Sequence, residues 1–153
     1  MARLKHDVAG SAGVMFVAAE LGRRGLIALP TIRNTEGVDL IASEPLGGRS
    51  VAIQVKTTQS RQKKWLMKKK NETLLSPSLF YVLVNLGMPG ELPEFHVVPS
   101  AVVARTLKRS HAAWLATPGR DGQSHEDTTL RAFFDPASKY LGAWEVLGLS
   151  MTS

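Results

Sequence analysis

The run Leu79-Phe80-Tyr81-Val82-Leu83-Val84-Asn85-Leu86 is aliphatic or aromatic at every position except Asn85. A stretch so short and so uniformly apolar reads as a strand covered on both faces, which puts it in the middle of a sheet. A chain built around such a strand belongs to the α/β class, with helices packed on the sheet.

The flanking segments supply the other elements. A helix is expected from Asp7 or Ser11, either of which can cap it, through Leu21 to a stop near Gly25. Leu26-Ile27-Ala28-Leu29 reads as a first strand ended by Pro30, and a polar link from Thr31 to Gly37 leads to a second at Val38-Asp39-Leu40-Ile41-Ala42. Pro45-Leu46-Gly47-Gly48-Arg49 carries hairpin turn signals, so the strand from Ser50 to Lys56 should run antiparallel to the second. Gly87 to Pro93 is a turn, Phe95-His96-Val97-Val98 a further strand, and Ser100 the cap of a second helix bearing Val102, Val103 and Leu107. Beyond His111 the periodicity weakens; Phe133-Phe134 and the stretch from Tyr140 to Leu147 are expected to pack as a short C-terminal element, with Trp144 filling the core. With 153 residues and 44% hydrophobic content, one core fits and two do not. The expectation is a single domain, its core spanning about 7–110 with an extension over 111–153.

Strand geometry turns the hairpin into a site. Side chains two apart share a face, so Gln54 and Lys56 look to one side while Val51, Ile53 and Val55 look to the other. The hairpin brings Asp39 beside them. A carboxylate, an amide oxygen and an ammonium at one spot suit holding a hard divalent cation against a phosphodiester, because a magnesium-like ion takes oxygen ligands and keeps several waters. Lys56 would then orient or activate the attacking water, or offset charge developing on phosphate. Glu20 is the only charged residue between Asp7 and Arg23, on a helix apolar around its whole wheel. A buried carboxylate there must find a partner, so the alternatives are an ion pair with Arg23 or Arg24, a simple solvent-facing edge, or the same metal site.

The order of an acid in the first helix, an aspartate at the next strand and x-x-Lys in the strand after it resembles the PD-(D/E)xK nuclease superfamily, in particular its Holliday-junction-resolvase-like and Mrr-like restriction branches. In that resemblance Glu20 matches the helix-one acid, Asp39 the metal-binding aspartate, Gln54 the second acidic ligand position and Lys56 the motif lysine. Val38 stands where a proline is usual, and a neutral Gln54 where an acid is usual, a QxK variant that the Mrr-like branch tolerates. The resemblance implies a restriction-endonuclease-like αβββαβ core with a mixed central sheet flanked by helices. It also implies an endonuclease that hydrolyses DNA with Mg2+ or Mn2+, the ion held by Asp39, Gln54, the Val55 backbone carbonyl and Glu20. A homodimer is an expectation on the same ground, since many enzymes of this fold pair to cut both strands. The rival reading keeps the fold and drops the chemistry, leaving a basic module that binds nucleic acid or a protein partner.

Charge agrees with either reading. A formal net charge of +6 favours an anionic partner, and nucleic acid is the commonest one for a basic domain. Six of the ten residues from Arg61 to Lys70 are basic, and Arg61, Lys63, Lys64, Lys68, Lys69 and Lys70 are expected to contact a phosphate backbone, with Trp65 either stacked on a base or packed in the core. Cysteine is absent, which excludes disulfides, thiolate zinc sites and cysteine nucleophiles and suits a reducing cytoplasm. No apolar run approaches the roughly 20 residues of a membrane span, and the start Met1-Ala2-Arg3-Leu4-Lys5-His6-Asp7 lacks a secretory apolar segment after its charges. The expectation is a cytoplasmic protein with no membrane partner. His125-Glu126-Asp127 are consecutive, so a polar surface loop is expected there rather than a metal site, and His96 reads as a structural histidine. Neither a Walker loop, a dinucleotide fingerprint nor a Gly-x-Ser-x-Gly elbow occurs.

Overall fold

The computed structural model describes residues 2–32 and 36–152. Its elements run α1 (His6–Arg23), β1 (Ile27–Pro30), β2 (Leu40–Ser43), β3 (Ser50–Thr58), β4 (Lys64–Lys68), β5 (Leu79–Asn85), β6 (Glu94–Pro99), α2 (Ser100–Ala116) and β7 (Leu130–Phe134), with short 3-10 turns between some of them. Residues 33–35 of the expected polar link lie outside the described residues, as do Met1 and Ser153.

Every residue of β5 is buried, as a strand in mid-sheet requires. The main sheet has the order β1-β2-β3-β5-β6. β3 and β5 run parallel and the other neighbours antiparallel, so the sheet is mixed. The β2–β3 hairpin forms with Leu40 opposite Ile53 and Ser43 opposite Ser50. α1 covers one face: Ala9, Gly13, Val17 and Leu21 recur every fourth residue and are buried, against a cluster containing Ile53, Val55, Val82 and Val84. Gly25 (φ +81) closes the helix and returns the Leu26 N–H to the Leu21 carbonyl at 3.1 Å. On the other face Tyr81, Leu83 and Val98 meet Val103 and Leu107 of α2.

Three features depart from the sequence expectation. The crossover between the parallel strands β3 and β5 carries β4 and a 3-10 turn, where an αβββαβ order would carry a helix. β4 pairs antiparallel with β7 in a second, two-stranded sheet, and its inward residues Trp65 and Met67 join Phe133 in the α2-side cluster. Residues past 110 enter the core too, Trp144 as expected: it is buried with Leu147 and Leu149 in the α1-side cluster. Neither helix is capped as expected. α1 begins at His6 with no side-chain cap, and the buried Ser100 hydroxyl bonds the Ser76 backbone instead, accepting from its N–H at 3.0 Å and donating to its carbonyl at 2.9 Å.

α1 lies so close to β3 that a Cβ at Gly13 would sit 2.0 Å from Thr57 Oγ1. Gly13→Ala must push the helix off the strand, and by urea denaturation it should cost about 1–3 kcal/mol, typical of overpacking. Thr57→Ala in the same chain should recover part of that loss, because it removes the atom that is struck.

Candidate metal and nucleic-acid site

β3 outlasts β2, and Asp39 fills the missing rung. Its own N–H donates to the Ile53 carbonyl at 2.8 Å, the last backbone bond of the hairpin on this side. The next free donor on β3, the Val55 N–H, goes to Asp39 Oδ2 at 2.7 Å. The Gln54 amide donates to the same oxygen at 2.9 Å. Because Ile53 and Val55 are two apart, both turn their backbone polar groups toward β2, so the Val55 carbonyl opens on the edge that Asp39 occupies. Among the described residues, Asp39 Oδ1 accepts no hydrogen bond. Lys56 follows on the face shared with Gln54 and is half-buried. Burial pushes its ammonium pKa down, the Asp39 carboxylate opposes this, and Lys70 and Lys68 add to the lowering.

Val55 and Lys56 line a cleft of about 730 Å³ between the start of α1 and β4, while Asp39 and Gln54 are not among its lining residues. Arg3 and His6 line one wall, Lys64 and Lys68 the other, and Lys56 the floor, with no acid among the described lining residues. Gln59 fixes the first wall in place: its side-chain oxygen accepts from the Leu4 N–H at 2.8 Å and its amide donates to the Leu4 carbonyl at 3.1 Å. Four cations and one imidazole facing a common space form an anion-binding groove.

Asp39, Gln54, Val55 and Lys56 are thus gathered together, and Glu20 is not. Its carboxylate pairs with Arg24 at 3.0 Å and Arg23 at 3.3 Å, the i+4 and i+3 partners on its own helix, and Arg24 lies over the Trp144 ring. Gly13 is where α1 touches Thr57, and Glu20, seven residues on, is about 10 Å further along the axis. It borders a separate pocket with Phe95 and Trp144. The arginines meet the partner requirement that a metal was expected to meet.

The basic segment divides in the same way. Lys64 and Lys68 line the cleft, and Lys70, paired with Glu36 at 3.2 Å, is near enough to act on Lys56. Arg61 donates to Glu91, and Lys63 to Ser138; both line a different pocket that holds Glu91 and Glu94. Lys69 faces Asp127. Trp65 cannot stack on a base: it is 1% exposed and its indole N–H donates to the Val84 carbonyl at 2.9 Å. The alternation Lys64-Trp65-Leu66-Met67-Lys68 was the signal for this strand. Arg3 and His6 escaped the sequence reading, since only the docking of α1 brings the start of the chain to the site.

The other candidates resolve structurally. His125 stacks on Trp114 with ring centroids 4.1 Å apart, and Asp127 pairs with His111 at 2.7 Å. Among the described residues no group of three His, Cys, Asp or Glu side chains is placed to hold a metal. His96 is fully buried, its Nδ1 2.7 Å from Asp135 Oδ2. Among the described residues no helix is long and apolar enough to cross a membrane.

No family model matches the chain, and no curated protein matches it significantly. In fold it is similar to a solved structure, that of a bacterial homing endonuclease, I-Ssp6803I. The two superpose with a TM-score of 0.58 at 13% sequence identity, over 97% of this chain and 95% of that one. The architecture thus resembles the fold of that nuclease.

Proposed function

We propose that the protein is a divalent-metal-dependent endonuclease acting on DNA, a QxK variant of the PD-(D/E)xK kind related to the Mrr-like and resolvase-like enzymes. The observation that carries this reading is the meeting of Asp39, Gln54 and Val55 at the open edge of β3, next to Lys56 and the groove of cations that Val55 and Lys56 line. The likeness of the whole chain to a homing endonuclease supports it at the level of the fold.

The donors suit a hard cation. Asp39 keeps one carboxylate oxygen clear of hydrogen bonds among the described residues, and the Val55 carbonyl and Gln54 amide oxygen complete an oxygen set that leaves room for water and phosphate. Mg2+ or Mn2+ held there would supply charge neutralisation at the phosphate and ease deprotonation of the attacking water. Asp39 orients this set by holding the Val55 N–H and the Gln54 amide together. Lys56 places a charge, or a proton acceptor, beside the phosphate, where water adds to phosphorus as one P–O bond breaks. Arg3, Lys64 and Lys68 hold neighbouring phosphates through charge. A second copy of the chain would serve the second strand.

A second reading rests on the single carboxylate. With Glu20 tied to its arginines and an amide at the usual acid position, the groove binds nucleic acid without cutting it. Incubation with duplex, branched and single-stranded DNA in Mg2+ or Mn2+ separates the two. Cleavage that Asp39→Ala abolishes and Glu20→Gln leaves within about threefold supports the enzyme. DNA binding without cleavage, unmoved or tightened by Asp39→Ala, supports the binder.

A further inference from the structure

The outer face of the β4–β7 sheet enters the reading above only through Lys64 and Lys68; its apolar side chains take no part in it. Its register sets Lys64 opposite Phe134, Leu66 opposite Ala132 and Lys68 opposite Leu130. These residues turn outward, while Trp65, Met67, Arg131 and Phe133 turn inward and are buried. Leu66, Leu130 and Phe134 are 68%, 62% and 54% exposed. Leu66, diagonal to both Leu130 and Phe134 across the ribbon, forms with them an exposed apolar strip that marks a surface that meets a partner.

The strip is continuous with the proposed cutting site. Leu66, Leu130, Lys64 and Lys68 line the same cleft as Lys56. A lysine stands at each end and no acid lies on the strip, so two copies placed face to face would bring cation against cation. A DNA groove offers the reverse pattern: phosphates along both walls, and thymine methyl groups on the floor. The major groove is wide enough to admit a two-stranded ribbon. The ribbon is also firmly anchored, with the Trp65 N–H on the Val84 carbonyl and Arg131 paired to Glu72, and such rigidity suits a reading surface.

The geometry points to the β4–β7 ribbon as a base-reading element that lies in the major groove beside the scissile phosphate, with Leu66, Leu130 and Phe134 against thymine methyls and Lys64 and Lys68 on the flanking phosphates. The inference rests on the proposed function for the identity of the ligand. It adds a source of sequence preference separate from the chemical step.

Selection of bound duplexes from a randomised pool tests it, because the readout is binding rather than cutting. The whole protein should enrich thymine at a few adjacent positions. The Leu66→Ala/Phe134→Ala variant should lose about five- to hundredfold of that discrimination while keeping its affinity for random duplex and, both side chains being exposed, its Tm. The Lys64→Ala/Lys68→Ala variant should bind all sequences more weakly and reduce the slope of log K against log salt by about two. A flat profile for the unmodified protein overturns the inference. So does an unchanged profile in the apolar variant, including one accompanied by a loss of self-association in sedimentation. A protein that selects sequences this way yet never cuts them overturns the nuclease reading alone.

Discussion

Lys56→Ala should reduce DNA cleavage by about 10²- to 10⁴-fold, the range for removing a positioned proton-transfer or charge-stabilising group, while leaving the fold intact. The side chain is half-buried on a sheet face and forms no ion pair among the described residues, its neighbours being Asp39 on one side and the like charges of Lys68 and Lys70 on the other. The sign of its effect on stability follows. A lysine whose folded pKa is depressed below the unfolded value binds fewer protons folded than unfolded, so stability rises with pH from the folded pKa to the ordinary one. Below that window the charged amine weighs against folding. Lys56→Met should therefore leave stability equal or raise it at neutral pH, as expected of a residue held in place for activity. Single-turnover cleavage and urea denaturation on the same preparations check both halves. Full turnover in the alanine variant would move the chemistry elsewhere. Lys56→Arg adds a finer test, because a guanidinium keeps the charge but cannot give up a proton: recovered cleavage assigns charge stabilisation, and lost cleavage assigns proton transfer.

The parts of this site that the sequence revealed are those set by local geometry. The alternation of side chains along β3 and a five-residue turn suffice to bring Asp39 to Gln54, and the structure has them 2.9 Å apart. The continuous run around β5 likewise announced a strand buried throughout. The parts that stayed hidden depend on long-range docking. β4 becomes a strand only through β7, with Lys64 opposite Phe134 seventy residues later, so the sequence did not show that the segment's cations divide, Lys64 and Lys68 lining the cleft and Arg61 and Lys63 another pocket. Glu20 shows the same limit. Its arginine partners at i+3 and i+4 were visible, as was the resemblance to a helix-borne ligand, and only the placement of α1 on the sheet decides between them. Arg3 and His6 enter the cleft for the same tertiary reason.

Asp135→Ala should be the most damaging single change to the fold, costing about 3–5 kcal/mol, the usual effect of breaking a buried pair by removing one partner. Asp135 is 4% exposed and His96 is fully buried. One carboxylate takes the His96 ring at 2.7 Å and the N–H groups of Lys139 and Tyr140 at 2.9 and 3.0 Å. Without it, the fully buried His96 ring and the N–H groups of Lys139 and Tyr140 lose their acceptor. Against a total stability of about 5–15 kcal/mol for a domain, that loss brings the protein near unfolding at physiological temperature. The pH dependence has a definite sign. Burial alone would raise the Asp135 carboxyl pKa, but the His96 hydrogen bond and the two backbone donors together outweigh it and hold the value below the ordinary carboxylate range. The stabilisation is therefore complete above that range and is lost as pH falls through the depressed folded value. Asp135→Asn should flatten this acid limb of the stability curve. The effect also reaches the groove, because the Trp65 ring packs 4.9 Å from His96 and the Asp135 N–H bonds the Lys63 carbonyl just ahead of β4. The strand that carries Lys64 and Lys68 is thus tied to the buried pair. Urea denaturation from pH 3 to 7, run beside a DNA-binding titration, should show both losses in Asp135→Ala; a cost under about 1 kcal/mol would mean that the pair contributes little to holding β4 on the sheet.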